Sequence, residues 1–226
     1  MHDDEPEVHW FKVINNSDAT QKYIMFAPPP TPDFDTPIWQ ASDDIGNETS
    51  WEVHTTAPIF AGVGTQDGTQ ITVKDSGWED SGITNGGPGK VFKLSFDGNG
   101  DPGLEDLGIV NDAGNTFSVS IEDLPDNGKT YVIVFGKRDG PKSDIIAPCA
   151  SITAKPNTHQ PVTPIIQLYF YNDSGTAGGL IDYDSLKDKA AHIDFAVHTP
   201  DASLCTVIHK TSSWETAYDN TLPNQE

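Results

Sequence analysis

The chain has 226 residues, with 34 acidic side chains against 13 basic ones and a formal charge of -21. Arg138 is its only arginine. Such a balance repels nucleic acid and anionic membrane surfaces and offers almost no forked donor for phosphate, so nucleotides, phosphorylated metabolites and polyanions are excluded as ligands.

The first ten residues, MHDDEPEVHW, lack the basic and apolar regions of a signal peptide. Val8 to Asn15 then alternates as a strand, and Lys22 to Ala27 reads as its hairpin partner across the Asn16-Ser17-Asp18 turn. Pro28-Pro29-Pro30 ends regular pairing, because proline cannot donate to a ladder. Short strands are predicted at Ile38 to Ala41, Ser50 to His54, Ile59 to Gly64 and Thr69 to Lys74. The glycine-rich stretch Ser76 to Gly89 reads as a long mobile loop. Val91 to Phe96, Thr116 to Ile121 and Thr130 to Lys137 are the cleanest alternating runs. Ile145 to Ala154, Pro164 to Tyr171, His192 to Val197 and Leu204 to Lys210 complete about a dozen strands. One helix is predicted over 184–191, capped by Asp182 or Asp184. No run approaches the ~18 apolar residues of a membrane span. The pattern predicts an all-β fold, an antiparallel sandwich or barrel of jelly-roll type, forming one domain over 1–226 with a loose tail from about Ser212.

Two cysteines, Cys149 and Cys205, are expected to form a disulfide, which would stabilise by roughly 4 kcal/mol on the chain-entropy model. Three glycosylation sequons begin at Asn15, Asn47 and Asn172. Acidity, paired cysteines and sequons together point to a secreted protein.

Metal and nucleophile chemistry finds little support. Asp97-Gly98-Asn99-Gly100-Asp101 has calcium-loop spacing, but Pro102 stands where the loop needs glycine and Gly108 where it needs glutamate, so an acidic turn is the plainer reading. His192 and Asp194 lie about 7 Å apart on one strand face, while His198 is about 20 Å further along. G-x-S-x-G, P-loop and dinucleotide motifs are absent. Among 34 acids no glycosidase pair can be singled out.

The aromatic residues carry more. Tyr23 and Met25 oppose Ile24 and Phe26 on one strand, and Tyr169 and Tyr171 oppose Leu168 and Phe170 on another. A sheet with one wet face does not need two apolar ones. The second face is either covered, by a loop or by a second subunit in a homodimer, or it lines a cavity. With Trp39, Trp51, His54 and Phe60, these residues are either ordinary core aromatics with a dimer interface or the lining of an aromatic pocket for a neutral ligand.

Three stretches, Phe11 to Asn16, Tyr23 to Pro29 and Phe60 to Thr65, resemble small secreted β-rich proteins of filamentous fungi. Proteins similar to these include hetero-Diels–Alderases of tropolone–sesquiterpenoid biosynthesis. The resemblance implies a cofactor-free cycloaddition joining a tropolone quinone methide to a terpene. Proximity and orientation alone can supply roughly 7–11 kcal/mol to such a reaction. His54 and Tyr169 are the acid–base candidates by residue type, and Tyr23, Phe26, Trp39, Trp51, Phe60 and Tyr171 are the substrate-binding candidates. The alternative expectation is a secreted carbohydrate- or ligand-binding module with aromatic rings on an open face.

Overall fold

The computed structural model describes residues 8–83, 87–138, 144–165, 167–195 and 203–219. Its strands in chain order are β1 (Val8–Asn16), β2 (Ile24–Phe26), β3 (Thr36–Pro37), β4 (Gln40–Ala41), β5 (Ser50–Thr56), β6 (Phe60–Asp67), β7 (Gln70–Thr72), β8 (Trp78–Asp80) and β9 (Pro88–Phe96). They continue as β10 (Pro102–Gly114), β11 (Phe117–Ile121), β12 (Thr130–Arg138), β13 (Ile146–Thr153), β14 (Thr158–Val162), β15 (Leu168–Tyr171) and β16 (Leu180–Ile181). The helix α1 (Tyr183–Leu186) precedes β17 (Ala191–Ile193), β18 (Leu204–Lys210) and β19 (Ser213–Asp219). The fold is all-β, as the alternation predicts.

Four sheets run in the orders β19-β18-β1-β5, β10-β9-β11-β14, β13-β12-β6-β7 and β17-β15-β2-β4, and β16 pairs with β3 in a two-stranded ribbon. Most pairings are antiparallel, but β1 runs parallel to β18 and β11 parallel to β9. One cluster of buried side chains draws on all four sheets, including Phe11 and Val207, Phe92 and Phe117, Ile133 and Phe135, and Met25 and Phe170.

The two-faced strands are covered by their own chain, so their apolar pattern needs neither a second subunit nor a cavity. Along β2 and the residue before it, Tyr23 and Met25 face the main core, while Ile24 and Phe26 join Ile38 and Tyr169 in a second cluster, against which Tyr183, Leu186 and Ala190 pack. On β12, Val132 and Val134 form a third cluster with Ile71, against which Trp78 and Leu180 pack. Trp78 lies directly over two glycines: a Cβ on Gly62 would stand 2.4 Å from its ring, and one on Gly136 would stand 2.6 Å from it.

Several local expectations are corrected. β2 does not fold back on β1; it pairs with β15 and β4, and β1 takes β18 and β5. In the connection between them the buried Asn15 amide donates to Ala19 O at 2.7 Å and Ile45 O at 2.8 Å, ties that hold the chain in a turn other than a two-strand hairpin. The stretch from Ser212 is no loose tail where it is described: Ser213–Asp219 pairs along β18. The helix is shorter than predicted, with Asp182 as its cap. Within 76–89, β8 pairs with β6, and β9 begins at Pro88. Residues 84–86 lie outside the described residues.

Candidate functional site

The aromatic residues expected to share a pocket are distributed over separate clusters. His54 stands half-buried on β5, stacked on its cross-strand neighbour Trp10 at 4.4 Å. Tyr169 lies in the second cluster, sandwiched in register between Phe26 at 5.4 Å and His192 at 4.7 Å. The Tyr183 hydroxyl donates to the Tyr169 hydroxyl at 3.2 Å, and burial raises the Tyr169 phenol above its ordinary value. Tyr171 packs against the same cluster. The two acid–base candidates are therefore not brought to one site.

Tyr23 and Trp39 are fully buried in the main core, and Trp51 packs against it edge-on to Phe170 at 5.6 Å. The Trp39 indole N–H donates to Lys137 O at 3.4 Å. The Tyr23 hydroxyl lies 3.0 Å from His209 Nδ1, and His209 stacks on Trp214 at 4.1 Å. Burial lowers the His209 pKa and so favours the neutral ring. Phe60 is buried under the Arg138 guanidinium, 5.2 Å from its ring centre, so the lone arginine at the end of β12 covers an aromatic side chain.

Both cysteines are free and buried, contrary to the expected disulfide. They sit on β13 and β18, in different sheets, and burial pushes both thiols up to about 12. Asn15 is fully buried with its amide committed to two carbonyls, so that sequon cannot take a glycan on the folded chain. Asn47 is exposed and Asn172 half-buried.

The Asp97 turn is a turn. Its Oδ1 accepts from Asn99 N at 2.8 Å and Asp101 N at 2.9 Å, bonds that hold its carboxyl below the ordinary value, and Asp101 pairs with Lys74. Asp194 accepts from Gln167 at 2.8 Å. Among the described residues no three His, Cys, Asp or Glu side chains gather as metal ligands. His198 lies outside the described residues.

Between the main sheets a small, mostly apolar cavity of about 60 Å³ is lined chiefly by Phe11, Ala27, Phe135, Leu168 and Ile193, with Cys149, Lys137, His9 and Thr55. The larger concavity is an open groove of about 500 Å³ at the edge of the second cluster. One wall is Pro28 to Pro32, a proline-rich segment after β2 that cannot donate to a ladder and that bends into a turn, where Phe34 N donates to Thr31 O at 3.0 Å. The other is Ile181 to Asp184, held opposite by the β3–β16 ribbon, where Thr36 faces Ile181. Phe34 and Thr36 complete the lining. The Thr36 side chain is 2% exposed and its Oγ1 has no hydrogen-bond partner.

Three carboxylates line the groove. Asp182 caps α1, accepting from the Ser185 amide at 3.3 Å and its hydroxyl at 2.6 Å, which lowers its pKa. Asp184 pairs with Lys187 at 2.6 Å, and the Lys187 ammonium lies 5.5 Å from the Tyr183 ring centre. Asp35 is exposed, its main chain bridged to Ser151 by bonds of 2.7 and 3.1 Å. None of the lining residues is basic. On the far side of Thr31 and Asp35 lies a second open depression of about 370 Å³, lined by Asp33, Ile152, Thr153, Lys155 and Gln160.

None of His54, Tyr169, Tyr23, Trp39 or Trp51 lines the groove or the cavity. The groove residues went unnoticed in the sequence because prolines read only as a strand stop and Asp182 only as a cap. Comparison of the chain with protein-family models, with curated proteins and with solved structures finds no match.

Proposed function

We propose that the chain is a non-catalytic binding module that holds a hydroxyl-rich, oligosaccharide-type ligand in the open groove between Pro28–Pro32 and Ile181–Asp184. The observation that carries this reading is the groove's lining: four prolines and Tyr183 beside three carboxylates and the unpartnered Thr36 hydroxyl. Proline rings and a tyrosine pack against the C–H faces of a sugar. Carboxylates accept from its hydroxyls in charge-assisted bonds, and Thr36 can donate or accept one more. Ligand sites of this kind are largely pre-formed concavities of ~300–1,000 Å³, a range that includes the groove's 500 Å³.

A cycloaddition between a tropolone quinone methide and a terpene asks for something else. Both partners must be held together, shielded from water, in an apolar chamber. The apolar cavity is about 60 Å³, and the aromatic side chains that would widen it fill the core. The module reading is therefore the better supported of the two. An acidic coat and the exposed Asn47 sequon suit a secreted setting for it.

The test is calorimetric titration with a panel of soluble oligosaccharides, repeated on Asp35→Ala and on Thr36→Val. Saturable binding that weakens about three- to tenfold in each variant is expected, the scale of one hydrogen bond. Binding of no oligosaccharide at millimolar concentration, or binding by either variant as tight as by the unchanged chain, would contradict the assignment.

A further inference from the structure

We propose, resting on the module reading above, that the ligand is an amino-sugar oligomer bearing free protonated amines, laid from the proline groove across Asp35 into the neighbouring depression. The two concavities share Thr31 and Asp35, so one chain-like ligand can occupy both. Asp35 lies at this junction and Asp33 on the second depression; both are exposed, and among the described residues no side-chain hydrogen bond or ion pair satisfies either carboxylate. The other acids nearby are engaged: Asp182 caps α1 and Asp184 pairs with Lys187.

Unengaged carboxylates at the middle of a groove favour a cation there, and the net charge of -21 favours it at longer range. The buried, unpartnered Thr36 hydroxyl lines the groove next to Asp35 and supplies a neutral partner within it. It distinguishes a hydroxylated cation from a simple one, since a sugar offers a hydroxyl beside its amine. Lys155 is the one basic residue lining either depression. Its like charge disfavours an amine beside it. Uronic acids, with the opposite charge, are disfavoured throughout.

The experiment compares three probes of equal length at pH 6: a glucosamine oligomer, an N-acetylglucosamine oligomer and a lysine oligomer. The glucosamine oligomer is expected to bind at least about fivefold tighter than the acetylated one in dilute buffer, with the gap closing in ~0.5 M salt. The double variant Asp33→Asn/Asp35→Asn should erase the gap while still binding the acetylated oligomer. The pair Asp123→Asn/Asp126→Asn, exposed and outside both depressions, should leave the gap intact. Equal binding of the two sugars overturns this inference and leaves the module reading standing. Failure of both sugars to bind overturns both. A lysine oligomer that binds as tightly as glucosamine, with the same dependence on Asp33 and Asp35, overturns the sugar assignment in favour of a basic peptide.

Discussion

Gly62→Ala tests how tightly the back of the β13-β12-β6-β7 sheet is filled. A Cβ at this position would meet the Trp78 ring at 2.4 Å and Val134 Cγ2 at 2.6 Å, both well inside contact distance. Trp78 is held in register opposite Gly62 by the β6–β8 ladder, so the ring cannot withdraw without breaking that pairing. Overpacking of this kind costs about 1–3 kcal/mol. For a domain of this size that lowers Tm by roughly 2–4 °C per kcal/mol. Trp78→Ala removes the ring and costs about 2–4 kcal/mol on its own, since the side chain is only partly buried. In the double variant the new methyl enters the space that the ring vacated, leaving only the Val134 contact. The Gly62→Ala penalty should therefore fall by about 1 kcal/mol or more in the Trp78→Ala background, measured as a coupling energy from urea-denaturation midpoints. Additive penalties within ~0.3 kcal/mol would refute the placement of Trp78 over Gly62.

The buried pair of Tyr23 and His209 makes stability depend on acidity. Burial lowers the His209 pKa, so the folded state favours the neutral ring. Its contribution is full above the unfolded value near 6.5 and is lost as pH falls below it toward the folded value. Thermal midpoints should drop between pH 7.5 and 5, and His209→Gln should flatten that drop; an equally steep profile in the variant would count against the assignment. Expression through a glycosylating secretory host should leave Asn15 unmodified while Asn47 and Asn172 remain open to modification, read by peptide mass mapping; a glycan on Asn15 would contradict its burial. Both thiols should resist Ellman's reagent in the folded protein and react as two per chain in denaturant, and reductant should leave Tm unchanged. A single disulfide found by mass would contradict the separation of Cys149 and Cys205.

What the amino-acid pattern reveals depends on how local the cause is. Phe117, Val119 and Ile121 alternate strictly into the core, and Leu204–Lys210 has the bounds that its alternation predicts. β10 hides its strand character. Gly108 N and Ala113 N bond back to Asp106 and Asn111 at 2.8 and 3.0 Å, two turns that interrupt the ladder and break the period. β19 hides because SWETAYD is a polar outer strand, held by its hairpin with β18. The parallel β1–β18 pairing joins opposite ends of the chain, and no local pattern encodes it.

The candidate site was less legible for the same reason. Its proline wall is visible, but the opposing wall comes from a distant segment joined through two-residue strands, Thr36–Pro37 and Leu180–Ile181, too short to carry a period. The aromatic residues misdirect because two-sided burial looks alike in sequence whether the second face meets a cavity or the chain itself. Here it meets α1 and Ala190.

The most direct test of the binding account is a two-dimensional amide NMR titration with a glucosamine oligomer. The account predicts saturable shifts concentrated at Thr31, Phe34–Thr36 and Ile181–Asp184, extending to Ile152, Thr153 and Gln160. Shifts absent at saturating ligand, or concentrated around Trp10 and His54 on the β19-β18-β1-β5 sheet, would contradict it.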